Sequence, residues 1–314
     1  MSPTDILFLG GTSIDLIQEH HEKNKNLHFK ASVGGSITNS AVISAKLGLK
    51  TVLLSRVGFD TLGEFAVKFL NSTGVKAKNV TKDPNIRTSL AIASIDKHGD
   101  SKYTFYKNSP KDSIIALKNA PKAVLSTCKI FHFGSSLSYQ DGATEEILKY
   151  IRFLKKRKVF ISFDPNFRPY AIKNKKQARK KVFKFLKLVD LAKLSEVDLK
   201  FLTREKSIPK GLKILKNKFK CEIIVTLGPK GSVYPNPSLR GARRRSNLNL
   251  IKIPALKVKI ANTIGAGDAY TAGILYKIAK KGEKEAFKDI KSTMAFATTI
   301  ATQSLTSQNC NALL

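Results

Sequence analysis

From about residue 40 onward, short apolar runs rich in β-branched residues alternate with segments whose apolar positions recur at helical spacing, and this alternation limits the fold more than any other feature. The runs 51–58 (TVLLSRVG), 129–134 (KIFHFG), 158–164 (KVFISFD), 188–195 (LVDLAKLS) and 221–228 (CEIIVTLG) read as buried strands. Helices fit at 38–47, 62–72, 141–156, 174–187, 196–203 and 210–218. Where a helix returns the chain between strands, neighbouring strands run parallel and both faces of the sheet are covered. The expected class is therefore α/β, in three layers (α/β/α) around a mostly parallel central sheet. Each strand ends in a Gly, Asp or Ser cluster, where such sheets place their ligand loops. No repeat or low-complexity linker interrupts the chain, so residues 1–314 are expected to form one domain.

Two segments break the rhythm. Residues 27–35 and 86–108 alternate in twos, and Lys97-His98-Gly99-Asp100 gives a hairpin signal. Lid segments 15–36 and 86–112 are expected to project from the body as a small antiparallel β ribbon. A ribbon lying over the strand ends excludes water from the site below it.

The composition narrows the class further. A hydrophobic fraction of 42% is that of a globular chain, and no apolar stretch approaches a membrane span. The first residues run directly into a strand without a basic n-region or a cleavage site. Cys128, Cys221 and Cys310 are scattered without metal spacing, which points to a reduced, cytoplasmic protein. The His residues, His20-His21 and His132 among them, likewise show no ligand pattern. The net charge of +33 is extreme, and such a field attracts phosphate backbones. Lys is nevertheless spread over almost every expected surface helix, as in 173–190, which argues for a general surface bias. Only 240–247 (RGARRRSN) concentrates Arg. That cluster keeps nucleic-acid binding as the alternative of another class.

The stretch 261–281 (ANTIGAGDAYTAGILYKIAKK) carries the chemistry. Gly265, Ala266 and Gly267 leave backbone N–H groups uncovered at the mouth of a helix, an arrangement that cradles phosphate. Asp268 follows at once. A carboxylate beside an anion hole suits phosphoryl transfer, in which it accepts the proton of the attacking hydroxyl. A plain capping aspartate accounts for Asp268 but gives the two glycines no reason to be there.

With these blocks in view, the chain resembles the ribokinase-like (PfkB) carbohydrate kinases over nearly its whole length. Residues 33–48 (VGGSITNSAVISAKLG) look like the family's N-terminal motif, and 262–273 (NTIGAGDAYTAG) like its C-terminal one. Between them, 163–168 (FDPNFR), 193–203 (KLSEVDLKFLT) and 225–232 (VTLGPKGS) match further blocks in order. Through 103–112, 131–135 and 164–170 the chain is most similar to fructokinases, with 2-keto-3-deoxygluconate kinases close behind. The resemblance implies an ATP-dependent sugar kinase acting on a primary hydroxyl of fructose; the alternative is a 2-keto-3-deoxygluconate or ribose kinase. A fructokinase-like scaffold that has lost catalysis and binds nucleic acid is the reading of another class. The resemblance places the sugar near Asp15, Gly34, Gly35 and Asn39, with Lys107 and Arg168 facing it. For Asn39 taken alone, a polar residue at a helix N-terminus is an equal reading. ATP is placed by Ser195, Thr226, Gly228, Gly231, Gly265, Gly267 and Thr298. Glu196 and Asp198 are implied to organise Mg²⁺ through water, although as residues they also read as an exposed first helical turn. The lid offers a contact for a homodimer, and no membrane partner is expected.

Three positions depart from the family pattern. Asn262 stands where most members have Asp, at a position associated with K⁺, so K⁺ dependence is an open question. Lys107 replaces the usual Arg and loses its two-pronged hydrogen bonding. Thr298 stands where Asn is common near the adenine.

Overall fold

The structure, a computed structural model, describes residues 3–18, 26–95, 101–109, 113–235 and 249–306. His20-His21, the hairpin signal at 97–100, the Arg cluster 240–247 and Cys310 lie outside the described residues, as do 19–25 and 110–112 of the lid segments.

Thirteen strands are described. They are β1 (Ile6–Leu9), β2 (Ser13–Gln18), β3 (Phe29–Gly34), β4 (Thr51–Gly58), β5 (Val80–Asp83), β6 (Ser89–Ile95) and β7 (Ser101–Tyr106), followed by β8 (Ile130–Gly134), β9 (Phe160–Asp164), β10 (Leu191–Ser195), β11 (Glu222–Thr226), β12 (Ser232–Pro235) and β13 (Leu250–Ile253). Nine of them form one sheet in the order β13-β12-β11-β10-β9-β8-β1-β4-β5. From β11 to β5 every pairing is parallel; β12 and β13 close the edge antiparallel. The strands β1, β8 and β9 are buried at every residue, as expected of a sheet covered on both faces. The core divides accordingly into two large clusters. Phe131, Phe133, Phe163 and Phe185 lie in one, and Phe8, Leu53, Ile224 and Leu275 in the other.

The lid is a four-stranded sheet in the order β3-β2-β6-β7. Its outer pairings are antiparallel, whereas the central β2–β6 pair runs parallel. Two segments far apart in the chain thus combine into one ribbon. That places Asp15 in the middle of β2, within the lid.

Parallel pairing brings strand C-termini to one edge of the main sheet. Thr226 stands opposite Ser195, and Asp164 opposite Gly134. Helix Ser36–Lys46 leaves the lid at Gly35, whose φ of 103° favours glycine. A Cβ there would run into the carbonyl oxygen of Gly11. Helix Ala266–Lys281 packs against helix Ser36–Lys46 and helix Ile290–Thr306. It meets the latter so closely that a Cβ on Gly273 would lie 2.7 Å from Ala297 Cα. These contacts fix the helix that carries Asp268.

Candidate active site

Helix Ala266–Lys281 begins immediately after Gly265, whose φ of 84° is left-handed. The permissive backbone of the Gly-Ala-Gly run is therefore needed at Gly265. Gly267 lies inside the first helical turn, where a Cβ would approach Lys193 Nζ at 3.2 Å. Its small size leaves room for a neighbouring ammonium.

Asp268 is 5% exposed and held on both oxygens. Ser36 Oγ donates to Oδ1 at 2.7 Å, and Asn39 Nδ2 donates to Oδ2 at 2.9 Å. Ser40 Oγ donates to the Asp268 carbonyl at 3.1 Å. Burial raises the carboxyl to about 6, while the Ser36 and Asn39 hydrogen bonds and the Lys193 charge pull it back. At neutral pH the group is ionised yet sits close enough to neutrality to take a proton.

Asn39 thus contacts the carboxylate of Asp268, in addition to lying near a helix N-terminus. Its Oδ1 is buried without a hydrogen-bond partner among the described residues. A buried acceptor left unpaired is costly.

Asp15 is buried in β2 and accepts from Ser13 Oγ at 3.0 Å. Burial raises it to about 6, with the charge of Asp268 adding to the effect. The reason for Gly34 is direct, since a Cβ on it would occupy the Asp15 carboxylate. Lys107 follows β7. Its ammonium lies 4.0 Å from the Phe105 ring centre and donates to Ser136 Oγ at 3.3 Å. The residue as a whole is exposed, yet it lines the cleft, and desolvation there lowers its ammonium to about 8. The charge of Asp15 opposes that change. Arg168 Nη1 donates to Asn166 Oδ1 and to the Phe167 carbonyl, and its guanidinium lies 5.9 Å from the Tyr103 ring centre. Between lid and body runs a cleft whose lining includes Ser13, Ser36, Ser89, Lys107, Ser136 and Gln140. It presents hydroxyls and the amides of Asn108 and Gln140 around the Lys107 cation.

A second charged pair lies beneath helix Ala266–Lys281. Lys193 Nζ bonds Asp164 Oδ2 at 2.8 Å, and the two side chains are 4% and 2% exposed. The adjacent β9 and β10 strands bring them together. Burial at this depth is tolerated because the charges are paired.

The expected nucleotide residues occupy separate elements of the same edge. Ser195 caps helix Glu196–Thr203, and Thr226 ends β11. Gly228 and Gly231 have φ of 58° and 87°; a Cβ on Gly231 would strike the carbonyl of Ile253. Thr298 is buried and donates to the Met294 carbonyl at 2.9 Å, within its own helix. Asn262 Oδ1 accepts from Ile264 N at 2.8 Å.

The acidic block differs from an exposed helical turn. Asp198 is fully buried. Its Oδ2 accepts from Ser195 N and Ser195 Oγ, and its Oδ1 accepts from Phe167 N at 2.7 Å. Both oxygens serve the protein, so this carboxylate does not fit a water-facing Mg²⁺ ligand. Glu196 is half-buried and pairs with Lys200 at 2.6 Å. Among the described residues no cluster of three His, Cys, Asp or Glu side chains has metal-site geometry.

Sequence reasoning passed over Ser36, Asn166, Asp164 and Lys193. All four lay inside quoted blocks, but nothing in one chain distinguishes their contacts from ordinary polar positions.

The fold is thus an αβα body with a β lid, its strand ends at one edge and a carboxylate at a glycine-flanked helix mouth beside them, an arrangement of the phosphotransferase class. Residues 3–314 match the pfkB family carbohydrate kinase model, and the chain belongs to that family of phosphotransferases. It is 28% identical over 254 residues to "Probable fructokinase-6, chloroplastic" from Arabidopsis thaliana, covering 80% of this chain and 63% of that protein. A fructokinase from Xylella fastidiosa with bound ATP superposes with a TM-score of 0.83 at 22% identity, over 98% of this chain and 94% of that one. A fructokinase from Vibrio cholerae O395 in its fructose, ADP and calcium ion bound form gives 0.82 at 26% identity, over 99% and 96%. Among the described residues no helix is long and apolar enough to cross a membrane.

Proposed function

We propose that this protein transfers the γ-phosphate of ATP to a primary hydroxyl of fructose. The observation that carries the reading is the Asp268 carboxylate, raised to about 6 and fixed on both oxygens at the start of helix Ala266–Lys281. Phosphoryl transfer asks the protein for positioning and charge stabilisation more than for covalent chemistry. Asp268 orients the acceptor hydroxyl and takes its proton. The N–H groups of Gly265, Ala266 and Gly267 stabilise charge on the moving phosphoryl group. Ser195, Thr226, Gly228, Gly231 and Thr298 would hold the nucleotide, and a Mg²⁺ ion brought with ATP would supply charge neutralisation on its phosphates.

The cleft supports a neutral ketose over an acid sugar. A carboxylate is best met by a forked guanidinium. Here Lys107 offers a point charge, and Nη1 of Arg168 is engaged by Asn166 Oδ1 and the Phe167 carbonyl. Ser13, Ser89, Ser136 and Gln140 suit hydroxyls. The fructokinases among the relatives agree with this choice. A coupled assay of ADP release over a panel of sugars tests the reading. Turnover with fructose is expected; a panel with no turnover overturns it.

A further inference from the structure

Asp268 is connected to Arg168 through two side chains. Arg168 Nη1 donates to Asn166 Oδ1. Asn166 Nδ2 donates to Ser36 Oγ at 2.8 Å and, more distantly, to Asp268 Oδ1 at 3.4 Å. Ser36 Oγ then donates to Asp268 Oδ1 at 2.7 Å. The directions are consistent along the chain: the amide oxygen receives, its nitrogen gives, and the hydroxyl receives on one side and gives on the other.

Asn166 is held in place against a backbone preference. Its φ of 42° is left-handed, a region that Asn enters more readily than most residues. The turn is pinned on both sides. Asp164 Oδ1 accepts from Asn166 N at 3.0 Å, and Asp198 Oδ1 accepts from Phe167 N at 2.7 Å. Strained backbone persists where its surroundings over-determine it, and such places cluster at working sites. This also gives the buried Asp198 a task that needs no metal.

We propose that Ser36 and Asn166 are positioning residues that aim the Asp268 carboxylate at the acceptor hydroxyl and tie its orientation to Arg168. The inference rests on the kinase reading with Asp268 as base. With Oδ1 held from Ser36 and Oδ2 from Asn39, the carboxylate cannot rotate freely, and a small misplacement of a reacting group is costly in rate. Donors to a carboxylate also favour its ionised form, so losing them moves its titration upward.

The test uses Ser36→Ala, Ser36→Thr, Asn166→Gly and the Ser36→Ala/Asn166→Gly double variant. Glycine accepts the φ at 166 without strain, so the change isolates the amide. Ser36→Ala and Asn166→Gly are each expected to lower kcat by about 10- to 100-fold, a share of what base catalysis supplies. Sugar KM should stay within about threefold of wild type, and the acid limb of the pH profile should move to higher pH. Ser36→Thr, which keeps the hydroxyl, should retain activity. Because the residues act as one chain, the double variant should lose little beyond the worse single variant. Should Asn166→Gly not fold, the Ser36→Ala and Ser36→Thr pair decides. Near-wild-type kcat in Ser36→Ala, a loss confined to KM, or multiplying losses in the double variant each overturn the proposal. If Asp268→Asn is inactive while Ser36→Ala is not, only this inference falls. Full activity in Asp268→Asn overturns Asp268 as the base, and this inference with it, while absence of turnover with every sugar overturns the kinase reading.

Discussion

Asn39 Nδ2 and Asp268 Oδ2 lie 2.9 Å apart although 229 positions separate them in the chain. The bond joins the Gly-Gly block that opens helix Ser36–Lys46 to the Gly-Ala-Gly block that opens helix Ala266–Lys281. Each block alone is a helix start. Packed against each other, they give a buried carboxylate whose two oxygens have assigned donors.

Replacing that carboxylate should abolish transfer and spare binding. Asp268→Asn is expected to lose about 10²–10⁴ in kcat, with ATP and sugar affinities by calorimetry near those of wild type. A variant keeping more than about a tenth of kcat contradicts the role of the base.

The pH profile follows from two groups. Asp268, raised to about 6 by burial, must be ionised to accept a proton, so kcat/KM should fall as pH drops through about 6. Asp15 is raised to about 6 as well; because the two carboxylates interact, the limb belongs to the pair. On the alkaline side Lys107, lowered to about 8, loses its charge, and sugar binding should weaken. Lys107→Met should remove the alkaline limb and keep the acid one. An unchanged alkaline limb in that variant assigns it elsewhere.

Stability should run opposite to activity. The folded carboxyl of Asp268 titrates above its ordinary value of 3.8, so the folded protein holds that proton more tightly than the unfolded chain. Stability is therefore lost as pH rises from about 4 through about 6. A neutral residue escapes the cost, which is at most about 3 kcal/mol. The Tm of Asp268→Asn should exceed that of wild type at pH 8 and lose this advantage near pH 4. Equal Tm values at pH 8 contradict the burial argument.

Gly34 tests the sugar side. An alanine Cβ there takes the space of the Asp15 carboxylate. Gly34→Ala should raise sugar KM about tenfold or more, a loss the size of one charge-assisted hydrogen bond, and leave ATP KM unchanged. An unaltered sugar KM removes Asp15 from the sugar site.

Most of the body was legible in the sequence because strands buried on both faces read as short continuous apolar runs, whereas amphipathic helices repeat their apolar positions about every 3 to 4 residues. Strand Thr51–Gly58 and helix Glu196–Thr203 fall where the pattern placed them. The lid was harder. Its β2–β6 pairing joins residues some 75 positions apart, and alternation marks a strand without naming its partner. Asp268 and its glycines stood out as a local cluster. Ser36, Asn166, Asp164 and Lys193 did not, since their meaning lies in contacts across strands and helices. Asp198 was misplaced for the same reason: a helical first turn looks exposed until the 164–168 turn is seen folded over it.

The most direct test of the account compares fructose, 2-keto-3-deoxygluconate and ribose as acceptors for ATP at moderate ionic strength. Salt suppresses the general attraction of a +33 protein for any anion. Fructose should be phosphorylated at a primary hydroxyl with the highest kcat/KM, and Asp268→Asn should abolish the reaction. A higher kcat/KM for the acid sugar or for ribose contradicts the assignment of fructose, and the absence of ATP-dependent turnover with every sugar contradicts the kinase account itself.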